Sequence, residues 1–476
     1  MSCKEVVTFW LDTGAPISLI LAENRRDCGP LDFRTRGQAM LVPRGWIEVD
    51  VWARRHMRRS VARRRRLAGA VSAVAMLAAA GCSPTSPPTM GPSPAGAIAQ
   101  PTTPPILGID WARAPMVETP KNFEVDPEAS AYTGMHPILR FPGQAMIADV
   151  VRLPDGGFVA VGYVPPDWVP AAWTSSDGLN WSIHSMGTTD FTFPVSVAAG
   201  AKGTAVAVGR SGKLPVAWTS GDGVAWREHP VPMLQGSGVA ERMTSVVASE
   251  HGYVAGGSVG PELFDRHARF WTSVDGVEWQ SLPDDRAAFA NAEVRAITTF
   301  GDGFVAVGVV GTSQQPSGAV AWTSADGSTW TRVDDPAFVG GIAVAVVSAP
   351  FGGLVAVGSD LDRREAVAWT SADGGHWRRA PRETSREHSG GFAWMTDVIA
   401  IDDTVIGVGD VQGLQRGTAM SWVSRDGIRW QQARSAPVQQ QGEFYAITPG
   451  GPGVIVVGSF GAPDSYVPRI WVSPGR

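Results

Sequence analysis

The chain has 476 residues, with 40 Lys and Arg against 45 Asp and Glu, three cysteines, 56 glycines and 44% hydrophobic residues. Residues 1–81 hold 14 of the basic and 7 of the acidic residues, so the remainder carries 26 minus 38, a net charge of about −12. An acidic body without a basic patch sets aside a nucleic-acid partner, and the lack of any cysteine after Cys82 sets aside a disulfide-held scaffold.

Residues 1–56 have mixed composition, no repeat and two of the three cysteines, and read as an extension that is either disordered or translated from a misassigned upstream start. Asp12-Thr13-Gly14 within them resembles the motif of aspartic proteases, but paired carboxylates need a folded domain of about a hundred residues, or two copies of one, and neither fits before residue 56. Residues 57–81 then read as an export signal. Arg58, Arg59 and Arg63 to Arg66 form a basic start, and residues 67–80 an apolar run too short to span a bilayer. The segment ends Ala79-Ala80-Gly81-Cys82, which resembles a bacterial lipobox with Ala79 in place of the usual Leu. The resemblance implies that Cys82 is lipidated and anchors the mature protein on the extracytoplasmic face of the cell membrane. An ordinary secretory signal is the alternative, and the arginines leave the general and twin-arginine export routes both open. Residues 82–105 are Pro, Ser, Thr and Ala with almost no charge, a tether that reaches about 70 Å if fully extended.

From residue 106 to 476 one pattern dominates. Thr-Ser-x-Asp-Gly-x-x-Trp recurs from Thr174, Thr219, Thr272, Thr323 and Thr370, and with valine first from Val423. A Trp precedes each copy (173, 218, 271, 322, 369 and 422), and with Trp471, which precedes a truncated Val-Ser, these residues are spaced as four-stranded propeller blades are. Asp-Gly between β-prone residues is a strong hairpin signal, because Gly accepts positive φ and Asp can bond its own turn. Within the first unit the expected strands are 148–153, 158–163, 171–175 and 180–183. The second strands, such as Phe304-Val305-Ala306-Val307-Gly308, are apolar throughout, as strands buried on both faces must be. The expected fold is therefore all-β: a seven-bladed propeller of antiparallel four-stranded blades. Residues 109–115 match the end of a repeat and the last repeat lacks its final strand, so an N-terminal strand is expected to complete the last blade and remove two open edges.

The repeated turn resembles the Asp-box of sialidases and other propellers, Ser-x-Asp-x-Gly-x-Thr-Trp, although here Asp and Gly are adjacent. In that family the turn is a fastener away from the active face, which implies that the repeated Ser and Asp are structural. Fourteen of the 19 Trp belong to the repeat frame and three to the leader, leaving Trp168 and Trp394 as the ones that need another account. Both fall on the face opposite the Asp-Gly turns.

Aligning the innermost strands on the apolar pair that follows gives one position per blade at the channel: Asp149, Ser196, Ser245, Arg295, Ala345, Asp397 and Tyr445, with Glu293 and Glu443 two residues earlier in blades four and seven. Trp168, Trp394, Asp149, Asp397, Glu443 and Tyr445, from blades six, seven and one, are the candidate ligand site, an aromatic face for a sugar or similar ring with carboxylates for its hydroxyls. The expected role is a binding or scaffold module for a glycan or protein ligand, acting as a monomer. The alternative implied by the resemblance is a sialidase-like hydrolase, in which Tyr445 would be the nucleophile, Glu443 its helper, and Arg140 and Arg295 two of three arginines holding a substrate carboxylate. No His or Cys pair at metal-ligand spacing and no phosphate loop follows the tether, so neither metal nor cofactor is expected.

Overall fold

The computed structural model describes residues 4–10, 16–22, 116–118 and 146–473, the last stretch apart from 165–166, 234–239, 261–265, 284, 312–315, 382–391, 413–416, 433–441, 452 and 461–466. Cys82, Trp111 and Arg140 lie outside the described residues, as do the signal and the tether. The chain divides into Met1–Pro105 and Ile106–Arg476. In the first unit Lys4–Trp10 pairs antiparallel with Pro16–Ala22.

The second unit is a seven-bladed propeller of four-stranded antiparallel sheets. The innermost strands are Met146–Arg152, Thr192–Ala199, Ala240–Ser249, Ala292–Phe300, Gly341–Ser348, Phe392–Ile401 and Gly442–Gly450. In blade one the remaining strands are Phe158–Val164, Val169–Ser175 and Ser182–Ser185. The expected bounds are exceeded by one or two residues at four of eight ends, while the innermost strand stops one residue short and the outermost starts two residues late, after the Asp-Gly turn. Among the described residues helix is confined to the single turns Arg286–Phe289 and Pro336–Phe338, and none is long and apolar enough to cross a membrane.

In the last blade Met116–Glu118 pairs antiparallel with Val467–Val472, with Met116 opposite Trp471. The segment around Trp111, in which this strand was expected, is not among the described residues. Blades seven and one also meet through their cores, where Ile147, Val150 and Phe158 pack in one cluster with Ala446, Ile455 and Val457.

The repeated residues explain themselves in packing. The seven Trp of the third strands are fully buried between neighbouring sheets. The six Trp that follow Asp-Gly turn back onto their own turns, each indole N–H donating to the glycine carbonyl three residues earlier at 2.8–3.0 Å. In blade four Ser324 Oγ accepts the Gly327 N–H at 2.8 Å, and Asp326 Oδ1 accepts those of Ser328 and Thr329 at 2.8 Å each. Gly327 has φ 73°, and a Cβ there would stand 2.8 Å from Val254 in the preceding blade. The turn therefore needs glycine twice, once for its conformation and once for the close approach of two blades.

Candidate functional site

The Asp-Gly turns occupy one face of the ring, and their polar groups are consumed in place. The N–H of Asn180 leads the contacts that hold Asp177 well below the usual carboxylate range, and that of Thr329 does the same for Asp326. These carboxylates are bound to the backbone in their ionised form, which is a fastener's chemistry rather than a proton carrier's. The opposite face, where the innermost and third strands begin, is the mouth. Its residues differ from blade to blade.

Every innermost strand has a register shift at the same point, for example between Ile147 and Asp149 and between Phe444 and Ala446. A bulge inserts one residue, and an alignment on apolar pairs cannot see it. The residues just after the bulge are Asp149, Ser196, Ser245, Ala296, Ala345, Asp397 and Ala446. The expected ring thus slips by one residue in blades four and seven, where Arg295 and Tyr445 are the bulged residues themselves.

The polar members of the corrected ring tie blade to blade. Asp149 Oδ2 accepts the Val197 N–H at 3.0 Å, Ser196 Oγ that of Val246 at 3.3 Å, Ser245 Oγ that of Ile297 at 3.2 Å, and Asp397 Oδ2 that of Ile447 at 2.9 Å. Where the preceding blade supplies only alanine, the aspartate also serves its own strand: Asp149 Oδ1 accepts from Val150 at 2.9 Å and Asp397 Oδ1 from Val398 at 2.8 Å. Both aspartates are accordingly struts between blades, a structural use that the expectation of ligand-binding carboxylates did not foresee.

Trp394 also departs from its expected use. It is 6% exposed and packs on Phe392 with ring centroids 4.3 Å apart, so its ring is part of the core of blade six rather than an open platform. In blade seven Tyr445 Oη donates to Glu443 Oε2 at 3.0 Å and lies 2.9 Å from Ser459 Oγ. The two residues nominated there are brought together.

Arg295 is drawn to a different partner. Its guanidinium lies 3.4 Å from Glu293 Oε2, and the same oxygen receives Arg242 at 3.1 Å and Arg266 at 2.7 Å. Burial alone would raise the Glu293 carboxyl, but Arg242, Arg295 and Arg266 outweigh it and hold the group down at about 2. These three arginines gather in blades three and four, on a carboxylate of this chain. Arg242 and Arg266 also line a small cleft with Arg210 and Ser258.

At the junction of blades one and two, Trp168 lies in the turn before a third strand with φ 59°. Its half-buried ring packs on Tyr163 at 5.4 Å and Phe193 at 6.2 Å between centroids, and Arg210 stands 4.8 Å over Phe193. Beside it Phe191 has φ 54° and is 46% exposed. Hydrogen bonds from Phe191 N to Asp167 O and from Thr192 N to Trp168 O, 3.0 Å each, lock the two segments together. Phe191, Arg210, Arg242 and Arg266 were not singled out in the sequence. For Phe191 a signal existed: the positions before the innermost strands of blades four and five hold Asn291 and Gly340, residues at ease at φ 51° and 70°. Among the described residues no group of three or more His, Cys, Asp or Glu is placed to hold a metal ion.

No protein-family model matches the chain, and no curated protein is similar to it in sequence. Among solved structures it is similar to Trypanosoma rangeli sialidase, at 11% identity and a TM-score of 0.42, over 69% of this chain and 54% of that one. It is also similar to Pseudomonas aeruginosa periplasmic gluconolactonase PpgL, at 12% identity and a TM-score of 0.42, over 70% of this chain and 96% of that one. The chain spans about half the length of the sialidase. At these identities and scores the similarity assigns no residue a role.

Proposed function

We propose that the protein is an exported propeller, anchored to the extracytoplasmic side of the membrane through a lipid on Cys82, that binds a glycan or protein ligand at its mouth. The supporting observation is the contrast between the two faces. One repeats the same self-contained turn around the ring, while the other carries aromatic and charged groups that differ from blade to blade, as a surface that recognises one asymmetric ligand must. Functional residues on a propeller belong on loops held by a rigid frame, and the described mouth segments at Trp168 and Phe191 are held in this way by backbone hydrogen bonds.

The test is a glycan array together with cross-linking to cell-surface proteins, using the purified full chain, with Trp168→Ala as control. A ligand bound by the wild type and lost in the variant is expected. Binding confined to the turn face would overturn the reading. For the anchor, Cys82→Ser is expected to release the protein from the membrane fraction, and retention would contradict it.

A hydrolase reading keeps one specific support, the 3.0 Å contact of Tyr445 with Glu443, since a phenol acting as nucleophile needs a neighbouring carboxylate to take its proton. Release of 4-methylumbelliferone from a neutral or acidic glycoside by the wild type, abolished in Tyr445→Phe, would establish it. No turnover by either protein would remove it.

A further inference from the structure

Phe191 breaks a local rule without an internal benefit that accounts for it. The position just before the innermost strand is left-handed and makes the same bond in three blades: its carbonyl accepts from the residue at or just past the end of the second strand of the same blade, Gly212 for Phe191, Gly311 for Asn291 and Leu361 for Gly340, at 3.1, 3.0 and 2.8 Å. Asn and Gly enter this region of φ at little cost, whereas for a bulky residue it is an outlier. An aromatic ring held there at 46% exposure gains little of the burial that would offset the strain. Trp168, bonded to the same segment, is in the same region of φ. Strain of this kind at an exposed aromatic on the rim of the mouth points toward a use outside the fold.

We infer that Phe191 and Trp168 form an aromatic platform for the ring face of a saccharide, with Asp167 and Asp190 accepting its hydroxyls. The inference rests on the proposed binding role and gives it a site and a ligand class. The C–H face of a pyranose packs on an open aromatic face, and carboxylates are acceptors for its equatorial hydroxyls. Asp167 and Asp190 directly precede the two aromatics in sequence, so the backbone that sets the rings also sets the carboxylates. Their mutual charge is evident in Asp190, which burial and then the charge of Asp167 push upward. A cation is the competing ligand for aromatics beside acids, but enclosing one takes several open rings. Here Tyr163, at 1% exposure, and Phe193, at 6%, are closed into the core, which leaves an open shelf and not a cage.

The experiment titrates the purified full chain with neutral cello-, laminari- and chito-oligosaccharides, followed by tryptophan fluorescence, with tetramethylammonium as the cationic probe. Phe191→Asn, which installs the residue used in blade four, is expected to weaken saccharide binding tenfold or more while Tm stays level or rises. Phe191→Tyr should retain binding. The platform falls if Phe191→Asn binds saccharide as the wild type does, if tetramethylammonium binds and no saccharide does, or if Phe191→Asn lowers Tm by several degrees, which would make the ring a packing element. A saccharide bound equally by both proteins overturns this site and leaves the binding role standing. Absence of any saccharide, with a protein ligand captured in the array and cross-linking screen, overturns the site and the ligand class but not the role, and absence of both overturns each.

Discussion

Replacing Glu293 with glutamine tests the buried charge cluster of blades three and four with a magnitude that follows from its geometry. One carboxylate oxygen receives three guanidinium groups, and the folded protein holds the carboxyl at about 2 against an ordinary 4.5. At about 1.4 kcal/mol for each pH unit, that difference corresponds to roughly 3 kcal/mol of stability, of the order lost when one partner of a buried ion pair is removed. A lowered carboxylate stabilises the fold fully above its unfolded pKa, so the contribution is complete above pH 4.5 and is lost as pH falls toward 2. With an unfolding entropy of about 2.1 cal/mol/K per residue across the propeller, 3 kcal/mol is a Tm decrease of roughly 4 °C. Calorimetry of wild type and Glu293→Gln at pH 7 is expected to show that decrease, and the difference should shrink steadily between pH 4.5 and 2.5. Adding Arg242→Gln to Glu293→Gln should cost less than the two changes summed, because it relieves like charges left facing each other. A Glu293→Gln protein within 1 °C of wild type at pH 7, or a difference that does not respond to pH, would refute the reasoning.

The other structural expectations concern struts and turns. Asp149→Ala removes the acceptor for both Val197 N–H and Val150 N–H and is expected to cost about 1–3 kcal/mol, with faster hydrogen exchange at Val197; an unchanged amide there would contradict the strut. Asp149→Asn keeps one carbonyl acceptor and should cost less. In the blade-four turn, Ser324→Ala loses the bond from Gly327 N–H and the longer ones with Asp326, about 1 kcal/mol, whereas Gly327→Ala adds left-handed strain and a clash with Val254 and should cost more, about 2 kcal/mol or above. The reverse order in urea unfolding would show that the turn is not packed as described. Because backbone N–H groups lower Asp177 and Asp326, the stability these turns contribute is complete above the ordinary aspartate range and declines below it.

Much of the scaffold was legible because each feature repeats. A Trp and an Asp-Gly pair at fixed offsets identify the third strand, its turn and the start of the fourth, and blade packing then follows from apolar second strands such as residues 304–308. The site was less legible, for reasons that are local. The bulge before Asp149 and its equivalents shifts the register by one, so Arg295 and Tyr445 were aligned with residues they do not match. Asp149 and Asp397 look like ligand groups until the bonds to the next blade's backbone are seen, some 50 residues away in sequence. Arg242, Arg266 and Glu293 meet from separate segments, and no pattern of spacing announces such a meeting. Phe191 passes for an ordinary apolar residue until its positive φ and exposure are known.

The central claim is that ligands approach the mouth and not the turn face, and site-directed labelling tests it most directly. With Cys3, Cys28 and Cys82 replaced by serine, single cysteines can be introduced at Val274, 85% exposed on the turn face, and at Leu214, exposed at the mouth beside the Phe191 segment, and coupled to a bulky maleimide polymer. The account predicts that the polymer at position 274 leaves saccharide binding unchanged and that the polymer at position 214 abolishes it. Loss of binding at 274 with retention at 214 would contradict it.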